Sequence, residues 1–379
     1  MKKILIVHNK YLNLGGEDLV VVNETKILNK RFKVKNMYFQ NTSSLDIFDF
    51  MSFITGTNRK TLKTIKNEIN SFNPDIVYFH NIWYKINTKT VLKATKKIKH
   101  VLIKQHNLRY ECIQGMHFRK NNLCHSCQNN SKVQGIINKC YKNSYLKSLM
   151  MTLFSWRYLK LLKNKKIKIL TFSDFHSNRL ILNNVNQENI HKLNNHIESE
   201  KVLDYKLDVP EKFICYVGRV TKEKGTHLVL NAFQKSNLTD TKLLIIGNIN
   251  DDIDATDYKN NEKIIFKDLL ENHEVKYLMT KSKAVIMGSI AYEGHPVVLS
   301  ESIISNTVLV YPSFSGLDEL MPKDYDYSYT HNDEEDLIRT LDLLDNDKIY
   351  DRNKSLISKF KIKNYNENVF FEQFENIFI

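Results

Sequence analysis

Two carboxylates eight positions apart, Glu293 and Glu301 in AYEGHPVVLSE, are the first candidates for chemistry. A pair placed around a helix start can meet a polyol hydroxyl at the loop and a ribose hydroxyl one turn further in. The plainer alternative has Glu293 capping the helix and Glu301 lying on the surface. A second stretch, YVGRVTKEKGTHLVLNAF, sets Arg219 and Lys224 just before an amphipathic segment. Two cations beside free helix N–H groups suit a diphosphate; the alternative is a solvated basic loop. Near the N-terminus, Gly15-Gly16 precede a helical segment, an arrangement that either cradles an anion or forms a capped turn in which Glu17 and Asp18 satisfy the dipole.

These residues need elements that bring them together. Apolar runs predict strands at Ile4–His8, Asp75–His80, Val101–Gln105 and Ile167–Phe172. A second set is predicted at Phe213–Val217, Lys242–Ile246, Lys263–Phe266, Ala284–Met287 and Val308–Tyr311. Amphipathic segments such as Thr61–Asn70 and Thr88–Lys97 alternate with them. Strand–helix alternation implies doubly wound parallel sheets, and two sets of similar size imply two similar domains, joined near residues 195–210. Ligands in such sheets sit beyond the carboxyl ends of the strands, where both chemical loops fall. Pro296 suits a first helical position, with Val297, Val298 and Leu299 facing the sheet.

Taken in order, HNKYLNLGGED, GRVTKEKG, LLIIGN, the Glu293/Glu301 pair with seven residues between, and SGLDEL at 315–320 resemble the retaining glycosyltransferases of family 4 over nearly the whole chain. The resemblance implies an α/β, GT-B fold: two Rossmann-like doubly wound domains facing across a cleft. Residues 1–200 would form the acceptor-side domain, 201–362 the nucleotide-sugar domain, and 363–379 a helix crossing back to the first. By the same resemblance Arg219 and Lys224 clamp the donor diphosphate, Glu293 with Gly294 and His295 holds the transferred sugar, and Glu301 holds the ribose. His106, in IKQHNLRY, falls beside the reacting carbon, and Gly15-Gly16 approach the donor phosphates or the acceptor. No catalytic metal is expected; the DxD-like run Asp252-Ile253-Asp254 reads as an acidic loop. The chain departs from the family where Pro-Ser becomes Gly288-Ser289, where Phe-Gly becomes His295-Pro296, and where Gly-Thr-Pro becomes Asn306-Thr307-Val308. His80, ending DIVYFH, reads as a buried hydrogen-bonded residue, and His8 stays unassigned.

Four of the five cysteines, Cys112, Cys124, Cys127 and Cys140, fall in an insertion at about 108–145. A C-x2-C knuckle flanked by single cysteines suits tetrahedral zinc, with His117 or His125 able to replace a ligand and free thiols the alternative. A subgroup of the family carries a similar insertion. Cys215, within a strand, reads as core. The segment 146–168 combines Leu, Met, Phe and Trp with Arg157, Lys160, Lys163, Lys165 and Lys166, so it reads either as a core helix with a basic end or as a helix that meets anionic lipid.

The composition, 42% hydrophobic and 26% charged, is that of a globular protein. No apolar run reaches the ~18 residues of a membrane span, and the N-terminus lacks a cleavage site, so a cytoplasmic protein on the inner face of the membrane is expected. The net charge of +14 calls for an anionic partner. The resulting expectation is a retaining transferase using a nucleotide diphosphate sugar and a lipid-linked or polymeric glycan acceptor in bacterial capsule, exopolysaccharide, lipopolysaccharide or teichoic acid assembly, with no nucleic-acid partner. Its rivals are a nucleic-acid-binding protein with a zinc module and a sugar-nucleotide-binding fold-mate without turnover.

Overall fold

The computed structural model describes residues 1–11, 15–42, 45–197, 207–249, 253 and 256–378. Asp252 and Asp254 of the DxD-like run, and part of the expected domain junction, lie outside them. The chain divides into two compact units. One comprises Met1–Arg119, Cys124–His196 and Phe370–Ile379; the other comprises Lys120–Leu123 and Ile197–Val369.

The first unit is built on a six-stranded parallel sheet in the order Lys33–Gln40, Lys3–Lys10, Ile76–Phe79, His100–Lys104, Ile167–Thr171, Ile190–Lys192. Ile4 to Val7 are wholly buried, as expected where helices cover both faces of a parallel sheet. The two edge strands were not predicted. Lys33–Gln40 alternates half-exposed and exposed positions, so it has no continuous apolar run; Ile190–Lys192 has three residues. The last helix, Glu367–Asn376, sends Phe370, Phe371 and Phe374 into the core containing Ile4 and Ile6. The Phe374 ring lies 5.6 Å from Phe32 and 6.3 Å from Tyr78.

The second unit repeats the design, in the order Ile264–Lys267, Lys242–Ile246, Phe213–Val217, Ala284–Ile286, Val308–Ser313, Ser328–Thr330, again all parallel. The strands bearing the two chemical loops, Phe213–Val217 and Ala284–Ile286, are neighbours. Their loops therefore emerge side by side at the carboxyl edge.

The basic apolar segment divides differently from expectation. Its helix runs Tyr145–Leu162 and buries Met150, Met151, Phe154, Tyr158, Leu161 and Leu162. Lys166 lies beyond it and donates to the carbonyls of Thr95 and Lys96. Half of this helix is thus core, and only one stripe faces outward. No described helix is long and apolar enough to cross a membrane.

Phe374→Ala should destabilise the first unit by about 3–5 kcal/mol, the usual cost of emptying an aromatic core site. Urea unfolding should show an early transition in the variant; an unchanged midpoint would place this helix outside the core.

Candidate functional site

In the second unit the site begins with backbone packing. Gly225, with φ +60°, opens the helix Thr226–Lys235. A Cβ on Gly225 would lie 1.8 Å from the carbonyl oxygen of Gly288. Only glycine permits that approach, and a Cβ on Gly288 would in turn lie 2.6 Å from the Gly225 carbonyl oxygen. Across this contact Ile290 and Ala291 donate their N–H groups to the Glu223 carbonyl, at 3.1 and 3.0 Å. Tyr216 donates its hydroxyl to the Arg219 carbonyl at 2.8 Å and accepts from Thr226 at 2.8 Å. The loop is held at both ends.

The stitched loops bring Lys224 Nζ to 2.5 Å from Glu293 Oε1, which also accepts from the Ser289 hydroxyl at 2.6 Å. The Glu293 N–H donates to Ser315 Oγ at 3.3 Å, tying SGLDEL into the same cluster. Arg219 is more open and reaches Glu223 at 3.2 Å. Glu293 is no helix cap: the helix is Val297–Ile304, its N-cap is Pro296, and no side chain caps it. Pro296 thus precedes the first helical residue, and of the three apolar residues after it only Leu299 is wholly buried.

Glu301 is not a surface residue either. It is buried and accepts from Asn272 Nδ2 at 2.7 Å. Burial pushes its carboxyl above the ordinary 4.5, opposed by Asn272 and Lys276. Gly294 stays in the loop beside Glu293, while the His295 side chain is buried with its Nε2 2.7 Å from Ser300 Oγ and 3.4 Å from Tyr365 Oη. His295 therefore faces the protein interior, toward the end of the long helix Asp347–Asn364.

The first unit holds a separate array around His106. His80 Nδ1 lies 3.0 Å from His106 Nε2 with the rings stacked. On its other side His80 Nε2 is 3.7 Å from Glu24 Oε2. Glu24 is wholly buried, ion-paired with Lys104 and bonded by Tyr78 at 2.7 Å. Burial, with the charges of His106, His8 and Lys104, holds His80 well below the usual 6.5, so it is neutral. The carboxylate favours the proton on Nε2, which makes Nδ1 the acceptor for His106 Nε2–H. Glu17, Asn107 and Arg109 line the same recess as His106, with Trp83 and Tyr158 as its aromatic walls. Sequence reasoning found His106 and read His80 as a buried residue; it missed Glu24 and Lys104, because a lone acid in an apolar helix and a lysine ending a strand signal nothing until paired.

The Gly15-Gly16 loop forms a capped turn. Gly15 N–H donates to Asp18 Oδ2 at 2.9 Å, and Asp18 Oδ1 lies 2.9 Å from His8 Nε2. Burial raises the Asp18 carboxyl, yet the bonds from His8 and Gly15 hold it below its ordinary value. At least one N–H of the turn is thus committed to a protein carboxylate.

The four cysteines of the insertion are not gathered as a metal site. Among the described residues no three or more His, Cys, Asp or Glu side chains gather to hold a metal, and all five cysteines are free. The four thiols of the insertion are within electrostatic reach of one another. Burial, then repulsion from Cys112, pushes Cys127 and Cys140 up to about 11. Cys124 instead bonds Ser126 at 3.4 Å. His117, a reserve ligand, sits 3.2 Å from Glu111, which also binds Arg179. Cys215 is buried in its strand.

Glu301 supplies a pH test. Because its folded pKa is raised, the folded state holds its proton more tightly than the unfolded chain does. Stability therefore falls as pH rises from 4.5 through the folded value. Glu301→Gln keeps the Asn272 bond and lacks that decline, so its melting temperature should exceed wild type at pH 7 and match it at pH 4. A variant less stable at pH 7 would contradict the assignment.

With the geometry in place, comparison with known proteins adds the family context. The family model for Glycosyl transferases group 1 matches residues 199–362. Glycogen synthase 1 of Synechococcus sp. is 27% identical over 144 residues, covering 35% of this chain and 29% of the synthase. The chain thus matches less than a third of that relative's length. Sucrose-phosphate synthase from Thermosynechococcus elongatus superposes with a TM-score of 0.72 at 12% identity, covering 100% of this chain and 98% of that one. Anabaena HepE, solved with UDP and glucose, gives 0.66 at 11%, covering 99% of each. At such identities these structures share the fold alone. Residues 199–362 match the glycosyl transferases group 1 model, within a chain of GT-B architecture made of two Rossmann-like α/β units.

Proposed function

We propose that the chain is a retaining glycosyltransferase that moves a sugar from a nucleotide diphosphate sugar to a lipid-linked or polymeric glycan acceptor, in the assembly of a bacterial capsule, exopolysaccharide, lipopolysaccharide or teichoic acid. The observation that carries the proposal is the Lys224–Glu293 contact at the carboxyl edge of the second sheet. It couples a cation suited to a leaving phosphate with a carboxylate suited to the sugar that phosphate leaves.

In this reading Arg219 and Lys224 bind the diphosphate, Glu293 and the Gly294–His295 backbone bind the transferred sugar, and Glu301 binds the ribose. His106 receives a hydroxyl of the reacting sugar, and Gly15-Gly16 approach the phosphates or the acceptor. The bond from the anomeric carbon to the diphosphate breaks, leaving positive charge on the sugar ring and negative charge on the phosphate oxygen. Fixed charges aimed at both ends act most strongly when that separation is complete. The acceptor oxygen attacks from the face the phosphate leaves, and its proton passes to the departing phosphate oxygen. No residue of the chain has to form a bond to the sugar. An anionic membrane surface met through segment 146–168 would present the acceptor to a protein working from the cytoplasmic side.

Arg219→Ala should abolish most of the thermal stabilisation by a nucleoside diphosphate while leaving the unliganded melting temperature unchanged. For wild type, ligand at one hundred times its Kd should add about 2.7 kcal/mol; equal stabilisation of the variant would remove the clamp. Glu293→Ala should lower turnover by at least ~100-fold with the best nucleotide sugar of a thermal-shift panel. Near-wild-type turnover would place the sugar elsewhere.

A further inference from the structure

The helix Ile47–Thr55 in the first unit is folded inside out. Its sequence is IFDFMSFIT, and Asp49 and Ser52 are its fully buried residues, with Phe53 nearly so. Asp49 is ion-paired with Lys85 and accepts from Asn58 Nδ2 at 3.0 Å, while Asn87 Nδ2 donates to the Ser52 carbonyl at 2.9 Å. Ile47, Phe48, Phe50, Met51 and Ile54 point outward, each 43% to 66% exposed. A helix on a water-facing surface places these groups the other way round.

The neighbouring helix Tyr145–Leu162 packs against it. Arg157 donates to the carbonyls of Phe53 and Ile54, at 2.6 and 2.5 Å, clasping the two helices together. Leu146, Leu149 and Trp156 lie along one exposed stripe of the longer helix, and Lys160 follows one turn later. The segment that carries the longer helix is basic: from 112 to 173 the chain has twelve Lys and Arg and no Asp or Glu, while Asp46 caps the shorter helix. Exposed apolar side chains on two packed helices, one of them in a strongly basic segment, match a lipid headgroup layer bearing negative charge.

We propose that the helix Ile47–Thr55 inserts its outward side chains into the interface of an anionic lipid bilayer, with the stripe of Tyr145–Leu162 beside it and the lysines of that basic segment on the headgroups. This goes beyond the basic segment 146–168 by giving insertion to a different element, whose polarity is inverted for the purpose. It rests on the proposed function only for the statement that the acceptor is lipid-linked. Binding itself requires no sugar nucleotide.

The test is sedimentation of the full chain with vesicles of phosphatidylglycerol and phosphatidylcholine, compared with phosphatidylcholine alone, without nucleotide. Wild type should partition to the anionic vesicles, and its Trp156 emission should shift to shorter wavelength. The variant Phe48→Ser/Phe50→Ser/Ile54→Ser should partition at least ~10-fold less, since each lost CH2 weakens insertion. It should keep the wild-type melting temperature and the wild-type shift with a nucleoside diphosphate. Met51→Ser alone, a milder change, should give a smaller loss in the same direction. Undiminished binding by both variants, or equal binding to neutral vesicles, overturns the proposal. So does a lipid-free dimer that the triple variant abolishes, because these side chains would then join two copies. Failure of sugar transfer would leave the vesicle result untouched.

Discussion

The contact of two backbones, at Gly225 and Gly288, decides the geometry of the second unit's site. With no room for a Cβ between them, the loop after Phe213–Val217 lies directly on the loop after Ala284–Ile286. The hydrogen bonds into the Glu223 carbonyl fix the register of that contact. Lys224 and Glu293, distant in sequence, then meet as adjacent residues on facing loops. Neighbouring parallel strands supply the common edge, so the sheet order, the two glycines and the charge pair form one chain of causes.

The first unit reaches order by another route. Its core is apolar, but a buried ion pair, Glu24 with Lys104, sits beneath His80 and His106. A buried pair of this kind is a poor source of net stability, because desolvation offsets the attraction. Its consequence is directional. It presents a carboxylate to one nitrogen of His80, and through His80 it sets which nitrogen of His106 carries a proton toward the interior. Tyr78 completes the carboxylate's partners, so the arrangement is held from three elements.

Central strands were legible because burial on both faces writes a continuous apolar run, as in Ile4–Val7 and Leu243–Ile246. The edge strands Lys33–Gln40, Ile190–Lys192 and Ser328–Thr330 were not, since half-solvated edges carry no such run. The loops bearing Arg219, Lys224 and Glu293 were legible through glycine and charge placed after strands. What those side chains touch was not: Asn272 beneath Glu301 and Tyr365 beside the inward-turned His295 are remote in sequence, and Ser289 meets Glu293 only through the way their shared loop folds. Cysteine spacing suggests a metal site, but where each sulfur points is not written in spacing. The inverted helix Ile47–Thr55 shows the same limit, for an apolar stripe states that one face differs from the other and not which face is buried.

The most direct test of the account is a crystal structure of the protein with the nucleoside diphosphate that stabilises it best. The diphosphate oxygens should lie within hydrogen-bond reach of Arg219 and Lys224, and a ribose hydroxyl should meet Glu301, with the Gly225–Gly288 contact unchanged. A nucleotide bound away from these residues, with the Lys224–Glu293 pair left untouched, would contradict it.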